Sequence, residues 1–423
     1  MKLRVKQFFH SIIYSILIAL LVSFFAIFFN LSVRKTIDLI NQHLIFSFSY
    51  ILLPIVASFI TWGLYSYYLD HDYSGLGIVQ VLVELKFIKT FLMKPLSILI
   101  NLFGAFISLV FGMSVGRFGP VVHLGASIGS NVAHYFKLDD EDIRLLVGCG
   151  AAAAITSVFK IPFFATVFVL EVLYKKHFYE LLTPVLLSSV IALIISNIFT
   201  NNTFLNLPYN QFLNLYIIDY LFLLIFGVIM GLVSILVIEL ISKSTTLFSN
   251  MKTSMFRYLI AALIVGFISF LLPLNFEIHE NTTYRVLSGE FDSQILMLIL
   301  LAKSFTTAIT LGSGYIGGNF YPAVTIGATV GMIYNKLLIG FNSNINSQGI
   351  FGLVGVGAII ASSFNAPISG IILILEISKS YELILPSILA VSIAVSIVYF
   401  IYRKDIFTKQ YKNLVNYCKK ARG

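Results

Sequence analysis

Apolar segments recur along almost the whole chain, from residue 8 to residue 402. A helix needs about 20 apolar residues to cross the hydrocarbon core of a membrane, and the segments 8–33, 44–69 and 213–241 are that long. Others, such as 161–174 and 367–378, are too short to cross alone. Short helices at membrane depth are tolerated where protein surrounds them or where they line a cavity. The pattern predicts an all-α, polytopic membrane protein of many tilted and broken transmembrane helices, and favours a transporter or channel over a simple anchor.

The charge of the chain supports this prediction and argues against other classes. Only 11% of the residues are charged, whereas soluble domains average about 25%. The formal net charge of +9 is concentrated in residues 2–6 and 403–422, so the apolar body is close to neutral. A nucleic-acid binder would instead carry a basic face. Basic ends on an apolar body fit the positive-inside rule. We therefore expect a lipid bilayer as partner, both termini in the cytoplasm, no nucleic acid and no soluble regulatory domain.

The sequence shows no pattern that is typical of an enzyme. The histidines His123 and His134 have no partner at metal-ligand spacing. The two cysteines, Cys149 and Cys418, suggest neither a disulfide framework nor a metal site. No nucleophile–base pair and no phosphate-binding loop is visible. We expect a protein that is not an enzyme and that uses no metal and no cofactor.

The chain also contains an internal repeat. The sequence GRFGPVVHLGASIGSNV begins at Gly116, and GNFYPAVTIGATVGMIY begins at Gly318. Each copy is followed by a small-residue segment and then by an apolar segment. The offset between the copies is 202 residues from Gly116 to Gly318 and 205 residues from Glu171 to Glu376. Membrane transporters are often built from two repeats, with the substrate site at the repeat interface. A tandem duplication with only a packing role is the alternative.

The repeat predicts how the chain is organised. We expect one transmembrane domain over residues 1–423, with a first repeat half at 8–205 and a second at 212–415. The repeated blocks are the beginnings of helices rather than helix faces, which favours the transport interpretation over simple packing.

The repeated blocks suggest a binding chemistry. In Gly-Arg-Phe-Gly-Pro and Gly-Asn-Phe-Tyr-Pro, proline marks the first turn of a helix, where its missing N–H costs nothing. The first backbone N–H groups of a helix have no partner within it, and the helix dipole adds partial positive charge there. Such a helix start binds anions without a cationic side chain. A third segment, Ser74 to Gly77, adds a hydroxyl group beside the backbone.

These segments resemble a known family. The order Ser74-Gly-x-Gly, Gly-Arg-x-Gly-Pro and Gly-x-Phe-x-Pro is similar to the three selectivity segments of the CLC family of chloride channels and chloride/proton antiporters. The likeness extends from about Ser74 to Phe407, most of the chain. It implies a CLC-type inverted repeat, a homodimer with one pore per subunit, and chloride as the substrate. Since the chain lacks the soluble domains of larger relatives, we expect the inner (plasma) membrane of a bacterium.

The resemblance also implies the pore residues. They are Ser74, Gly75, Arg117, Phe118, Gly119, Asn319, Phe320, Tyr321 and Phe407. Five positions depart from the family pattern. Gly77 stands where a proline is usual, and Asn101 where a lysine is usual. In addition, Phe118 stands where the gating glutamate is usual, Val172 replaces the internal proton glutamate, and Phe407 replaces the pore tyrosine. None of these side chains can carry a proton. We therefore expect passive chloride transport by a channel or uniporter, without proton coupling and with Phe118 as the gate.

Several alternatives remain open. One alternative is a proton-coupled antiporter that uses a non-standard acid such as Glu84. A second is a CLC-fold transporter of bicarbonate, nitrate or fluoride. A third is a scaffold in which Phe118 is a fixed plug. Individual residues have structural alternatives too. The alternative for Ser74 is a helix cap, the alternative for Arg117 is the partner of a carboxylate, and the alternative for Tyr321 is a residue of the lipid interface.

Overall fold

The computed structural model describes residues 2–43, 48–68, 77–86, 95–174, 178–200, 217–251, 253–276, 279–341, 349–403 and 406. The first eight helices in this part of the chain are α1 (Lys2–His43), α2 (Ser49–Tyr68), α3 (Gly77–Lys86), α4 (Pro95–Val110), α5 (Phe118–Tyr135), α6 (Asp140–Phe159), α7 (Pro162–Leu173) and α8 (Phe178–Phe199). The next eight are α9 (Ile217–Ser249), α10 (Ser254–Leu271), α11 (His279–Leu287), α12 (Ser293–Ser313), α13 (Phe320–Phe341), α14 (Ile350–Phe364), α15 (Pro367–Ser378) and α16 (Ile384–Ile397).

Nine of the described helical segments are long and apolar enough to cross a membrane. Large apolar side chains cover their outer faces; for example, Phe24 and Phe28 on α1 are 66% and 67% exposed. Exposing so much continuous apolar surface to water is unfavourable, whereas contact of this surface with lipid is favourable. Shorter apolar helices, including α7 and α15, lie between the long ones. The prediction of an all-α polytopic membrane protein with broken helices is confirmed.

The centre of the molecule is formed by α6 and α14, which are almost completely buried. Glycines allow the neighbouring helices to pack against them backbone to backbone. A Cβ atom added at Gly125 of α5 would lie 2.1 Å from the carbonyl oxygen of Gly150 on α6. In the second repeat, a Cβ atom at Gly327 of α13 would lie 2.4 Å from the carbonyl oxygen of Gly355 on α14. Close approach at small residues is the usual way in which membrane helices associate, and both repeats use it at equivalent positions.

The two short helices α7 and α15 are held together by a reciprocal exchange of carboxylates. Glu171, near the end of α7, accepts hydrogen bonds from the backbone N–H groups of Ile368 and Ser369 in the first turn of α15, at 3.1 and 2.9 Å. Glu376, near the end of α15, accepts from the N–H groups of Phe163 and Phe164 in the first turn of α7. Each carboxylate therefore caps the positive end of the other helix.

Candidate functional site

The two motif loops meet at the centre of the molecule. The backbone N–H of Gly116 donates to the carbonyl oxygen of Gly318 at 2.8 Å, and the N–H of Gly318 donates to the carbonyl oxygen of Gly116 at 2.7 Å. This isolated antiparallel bridge joins the equivalent positions of the two repeats. The helices α5 and α13 begin two residues further on, at Phe118 and Phe320, as the proline pattern predicts. The junction therefore brings two helix starts to one place.

The third motif segment reaches the same junction through the first residue of α3. A Cβ atom added at Gly77 would lie 2.7 Å from both the carbonyl carbon and the carbonyl oxygen of Gly119. Gly77 stands where the CLC pattern has a proline, and this close contact explains the departure, because proline carries a Cβ atom. The starts of α3, α5 and α13 contain no acidic residue in the first turn. Their dipoles therefore favour an anion at the point where they converge.

Aromatic rings fill the space beside the helix starts. Phe118 is fully buried, and its ring stacks on that of Phe320 with centroids 4.1 Å apart and an interplanar angle of 13°. Phe168 meets Phe118 edge-on at 5.1 Å, and Phe159 and Phe164 pack at 5.5 and 6.2 Å. We call these five residues the aromatic cluster. The ring of Phe118 is thus held on several sides by other rings.

One cavity lies on the α3 side of the junction, and we call it the Asn319 cavity. Its described lining residues are Gly77, Ile78, Val79, Phe118, Gly119, Ile241, Leu311, Gly317, Gly318, Asn319, Phe320, Phe364 and Ile406. Among these described residues only Asn319 has a polar side chain, and none has a side chain that titrates. Asn319 is 8% exposed.

A second cavity, the Arg117 cavity, lies near the end of the long helix α1. It is lined by Val33, Ile37, Leu109, Gly112, Met113, Val115, Gly116, Arg117, Asn275, Phe276 and Tyr321 among the described residues. The two sets have no residue in common, so the junction of the motif loops separates the two cavities. This second cavity carries a guanidinium group, a carboxamide and a phenol hydroxyl.

A buried ionic network surrounds Arg117. Its Nη2 donates to the Oε1 of Glu280 on α11 and, at 3.1 Å, to the hydroxyl of Tyr321. The Tyr321 hydroxyl in turn donates to Glu280, and Arg34 of α1 donates to the other carboxylate oxygen at 2.6 Å. Arg117 and Glu280 are 4% and 8% exposed. Two guanidinium groups thus face one carboxylate, which leaves a net charge of +1 beside the junction.

The structure brings most of the predicted pore residues together. Arg117, Phe118 and Gly119 begin α5, and Asn319, Phe320 and Tyr321 begin α13 on the other side of the Gly116–Gly318 bridge. The predicted residues Ser74, Gly75 and Phe407 lie outside the described part of the chain.

The described neighbours of these residues, Gly77 and Ile406, both line the Asn319 cavity. Val172, the position of the missing proton glutamate, is a buried residue of α7.

Glu280 and Arg34 are the residues that sequence reasoning missed. Glu280 is 163 positions from Arg117 in the chain, and no motif connects the two. The one available signal was that Glu280 belongs to α11, a short polar stretch between apolar helices. The contact with Glu280 agrees with the structural alternative for Arg117, in which it pairs with a carboxylate.

The fold and the site together define a membrane transporter for anions, and comparisons with known proteins agree. A family model described as voltage gated chloride channel matches residues 57–399. This chain belongs to that family, the CLC family. Its members are transporters or channels rather than enzymes, with chloride as the transported substrate and no cofactor.

The chain is similar to several bacterial proteins. It is 32% identical over 294 residues to a ClcB-like protein of Ralstonia nicotianae, over 67% of either chain. It is 28% identical to the H⁺/Cl⁻ exchange transporter ClcA of Vibrio cholerae, over 69% of this chain and 64% of the relative. The match thus spans about two thirds of the length of these relatives.

Among solved structures, a slow cyanobacterial Cl⁻/H⁺ antiporter superposes with a TM-score of 0.87 at 22% identity, over 96% of this chain and 98% of the other. This likeness establishes the fold.

Proposed function

We propose that this protein lets chloride cross the membrane passively, as a channel or uniporter without proton coupling. The carrying observation is the Asn319 cavity, whose described lining residues include no side chain that titrates. Proton exchange needs a group on the anion path that gains and loses a proton. Phe118 and Val172 stand at the two positions where the CLC pattern has glutamates, and neither can do this.

The helix starts supply the attraction for the anion. Removing a small anion from water costs at least several kcal/mol, and one helix start returns about 0.3–2 kcal/mol. Three starts converge at the junction, and the network around Arg117 adds a net positive charge nearby. The ligands at the junction itself are neutral. They suit a pathway because a full charge in contact with the ion would slow its release.

Phe118 acts as the gate in this proposal. In the structure its ring stacks on Phe320 at 4.1 Å, and both residues line the Asn319 cavity. Apolar constrictions close a pore because water leaves them. Rotation of the Phe118 ring away from Phe320 would open a path lined by backbone N–H groups, and this rotation is the opening step that we propose.

The assembly and the location belong to the same proposal. Phe163 and Ile368 occupy equivalent positions on α7 and α15 and are 57% and 50% exposed. These apolar surfaces are suited to contact with lipid or with a second copy. We propose a homodimer with one pore per subunit in the inner membrane of a bacterium, with both termini in the cytoplasm.

A coupled antiporter is the second candidate, because relatives of this chain are named H⁺/Cl⁻ exchange transporters. The acid suggested from the sequence, Glu84, has a side chain outside the described part of the structure. Glu280 is a buried carboxylate beside the junction, but it accepts hydrogen bonds from Arg34, Arg117 and Tyr321. Two guanidinium groups favour its ionised form, so Glu280 is a poor proton carrier at neutral pH.

The test is chloride efflux from liposomes that contain the purified protein, with valinomycin present and a pH electrode outside. We expect efflux that ceases without valinomycin and moves no protons. Proton movement opposed to chloride movement would overturn the passive mechanism and favour the antiporter. The absence of efflux would leave either a different anion or a plugged pore, and competition with bicarbonate, nitrate and fluoride tests the first.

The variant Phe118→Ala tests the gate. Removing the ring shortens the apolar constriction, so we expect chloride efflux at least about tenfold faster, which corresponds to about 1.4 kcal/mol. Phe103→Ala is the control, since Phe103 of α4 is half exposed on the outer face of the molecule. If Phe118→Ala does not conduct any anion, the scaffold interpretation is favoured and the proposed function is wrong.

A further inference from the structure

The side chain of Asn319 has no hydrogen-bond partner within the part of the chain that the structure describes. It directly precedes α13, is 8% exposed and lines the Asn319 cavity. Neither its Oδ1 nor its Nδ2 makes a hydrogen bond. Buried carboxamide groups are almost always paired, because losing water without a replacement partner is unfavourable. An asparagine kept unpaired at this place therefore indicates a ligand.

The local structure argues against a simple capping role. Asparagine before a helix usually accepts a hydrogen bond from an N–H group of the first turn through its Oδ1. Asn319 takes this position, and its backbone carbonyl accepts from Ala323 at 3.0 Å, but its side-chain oxygen accepts nothing. The Asn319 carboxamide therefore does not cap the first turn of α13.

The equivalent residue of the other repeat behaves differently. Arg117 precedes α5 as Asn319 precedes α13, and its guanidinium group is engaged by Glu280 and Tyr321. Asn319 faces a cavity whose other described side chains are all apolar. Among the described residues, Asn319 therefore offers the polar side chain, and the backbone the other hydrogen-bonding groups, to a ligand in this cavity.

We propose that the Asn319 carboxamide binds the transported anion directly and favours an oxyanion that carries a hydrogen, such as hydrogencarbonate, relative to a hydrogen-free anion. The Nδ2–H group donates to the anion, and the Oδ1 atom accepts from a hydroxyl hydrogen on it. A halide or nitrate satisfies only the first of these groups, whereas hydrogencarbonate satisfies both. This inference rests on the proposed function, since it names a ligand and a preference of the same pathway.

The first experiment measures binding and does not depend on conduction. Chloride, nitrate and hydrogencarbonate are titrated by calorimetry into the detergent-solubilised protein at pH 8. Nitrate is the informative comparison, because it has the planar shape and charge of hydrogencarbonate but no hydrogen. In Asn319→Leu we expect hydrogencarbonate to bind about tenfold more weakly and nitrate about threefold more weakly, because two hydrogen bonds are lost in one case and one in the other.

Two further variants control for damage to the fold. Asn335→Leu makes the same chemical change at a buried residue of the same helix that does not line the cavity, and we expect unchanged binding of all three anions. Asn319→Ala removes the carboxamide without adding bulk. It should therefore also weaken the binding of hydrogencarbonate more than that of nitrate, even if leucine disturbs packing.

A second experiment measures the same preference during transport. Nitrate or hydrogencarbonate is added as a competitor at equal concentration on both sides of the liposome membrane. The concentration of each competitor that halves chloride efflux is then compared. Equal shifts for the two oxyanions in Asn319→Leu, or no shift, would overturn the inference. If the wild type binds hydrogencarbonate more tightly than nitrate but conducts no anion, the inference stands and the proposed passive transport is wrong.

Discussion

The two helix starts at the centre of the molecule share one backbone arrangement but differ in their side chains. In the first repeat, Arg117 before α5 is tied to Glu280 and Tyr321 in a buried ionic network. In the second repeat, the side chain of Asn319 before α13 has no hydrogen-bond partner among the described residues. The same backbone arrangement, a motif loop followed by a helix, thus occurs at both helix starts. The two side chains differ in their hydrogen bonding, which fits the proposal that Arg117 supports the site while Asn319 contacts the anion.

The largest effect is expected from Glu280→Gln, which removes the negative charge between Arg34 and Arg117. Two buried guanidinium groups would then face each other without a counter-charge, and we expect a loss of about 3–5 kcal/mol in the free energy of unfolding. The measurement is thermal unfolding in detergent. The control is Glu290→Gln, because Glu290 pairs with Arg285 at the protein surface, and little change is expected there. Equal effects of the two variants would show that the network does not support the first helix start.

A smaller effect is expected when the glycine contacts of the two repeats are overfilled. The variants Gly125→Ala and Gly327→Ala place a Cβ atom 2.1 and 2.4 Å from a carbonyl oxygen of the facing helix. Backbone cannot move aside as a side chain can, so we expect each to lower the free energy of unfolding by about 1–3 kcal/mol.

Gly63→Ala is the matched control for these two variants, since a Cβ atom at Gly63 would meet nothing within 4 Å. It should be neutral or slightly stabilising, because alanine favours a helix over glycine. A clear loss in only one of the two repeats would show that the repeats differ in packing as well as in their side chains at the site.

The smallest effect concerns the reciprocal carboxylates. Glu171 accepts from two backbone N–H groups and from the Ser369 hydroxyl, whereas Glu376 accepts from two backbone N–H groups only. Replacing either with glutamine removes a charge at a helix start, and we expect a loss of about 1 kcal/mol. Glu171→Gln should cost more than Glu376→Gln, and Ser369→Ala should remove most of this difference. The reverse order in chemical unfolding would contradict the asymmetry.

The sequence by itself determined the membrane class, the family and the places where the functional helices begin. These properties are local: proline and glycine restrict the backbone at each motif, and the apolar segments need lipid whatever their neighbours are. The helix starts at Phe118 and Phe320 follow from this local chemistry, and so does their capacity to attract an anion.

Only the tertiary structure decided which side chains have partners. The hydrogen bond between Arg117 and Glu280 joins residues that are 163 positions apart in the chain, and the stacking of Phe118 on Phe320 joins the two repeats. Asn319 and Arg117 precede equivalent helices, yet one is unpaired and the other is held on two sides. The physical reason is that pairing depends on which distant helices pack together. No local pattern encodes that choice, because it results from burying the whole chain at once.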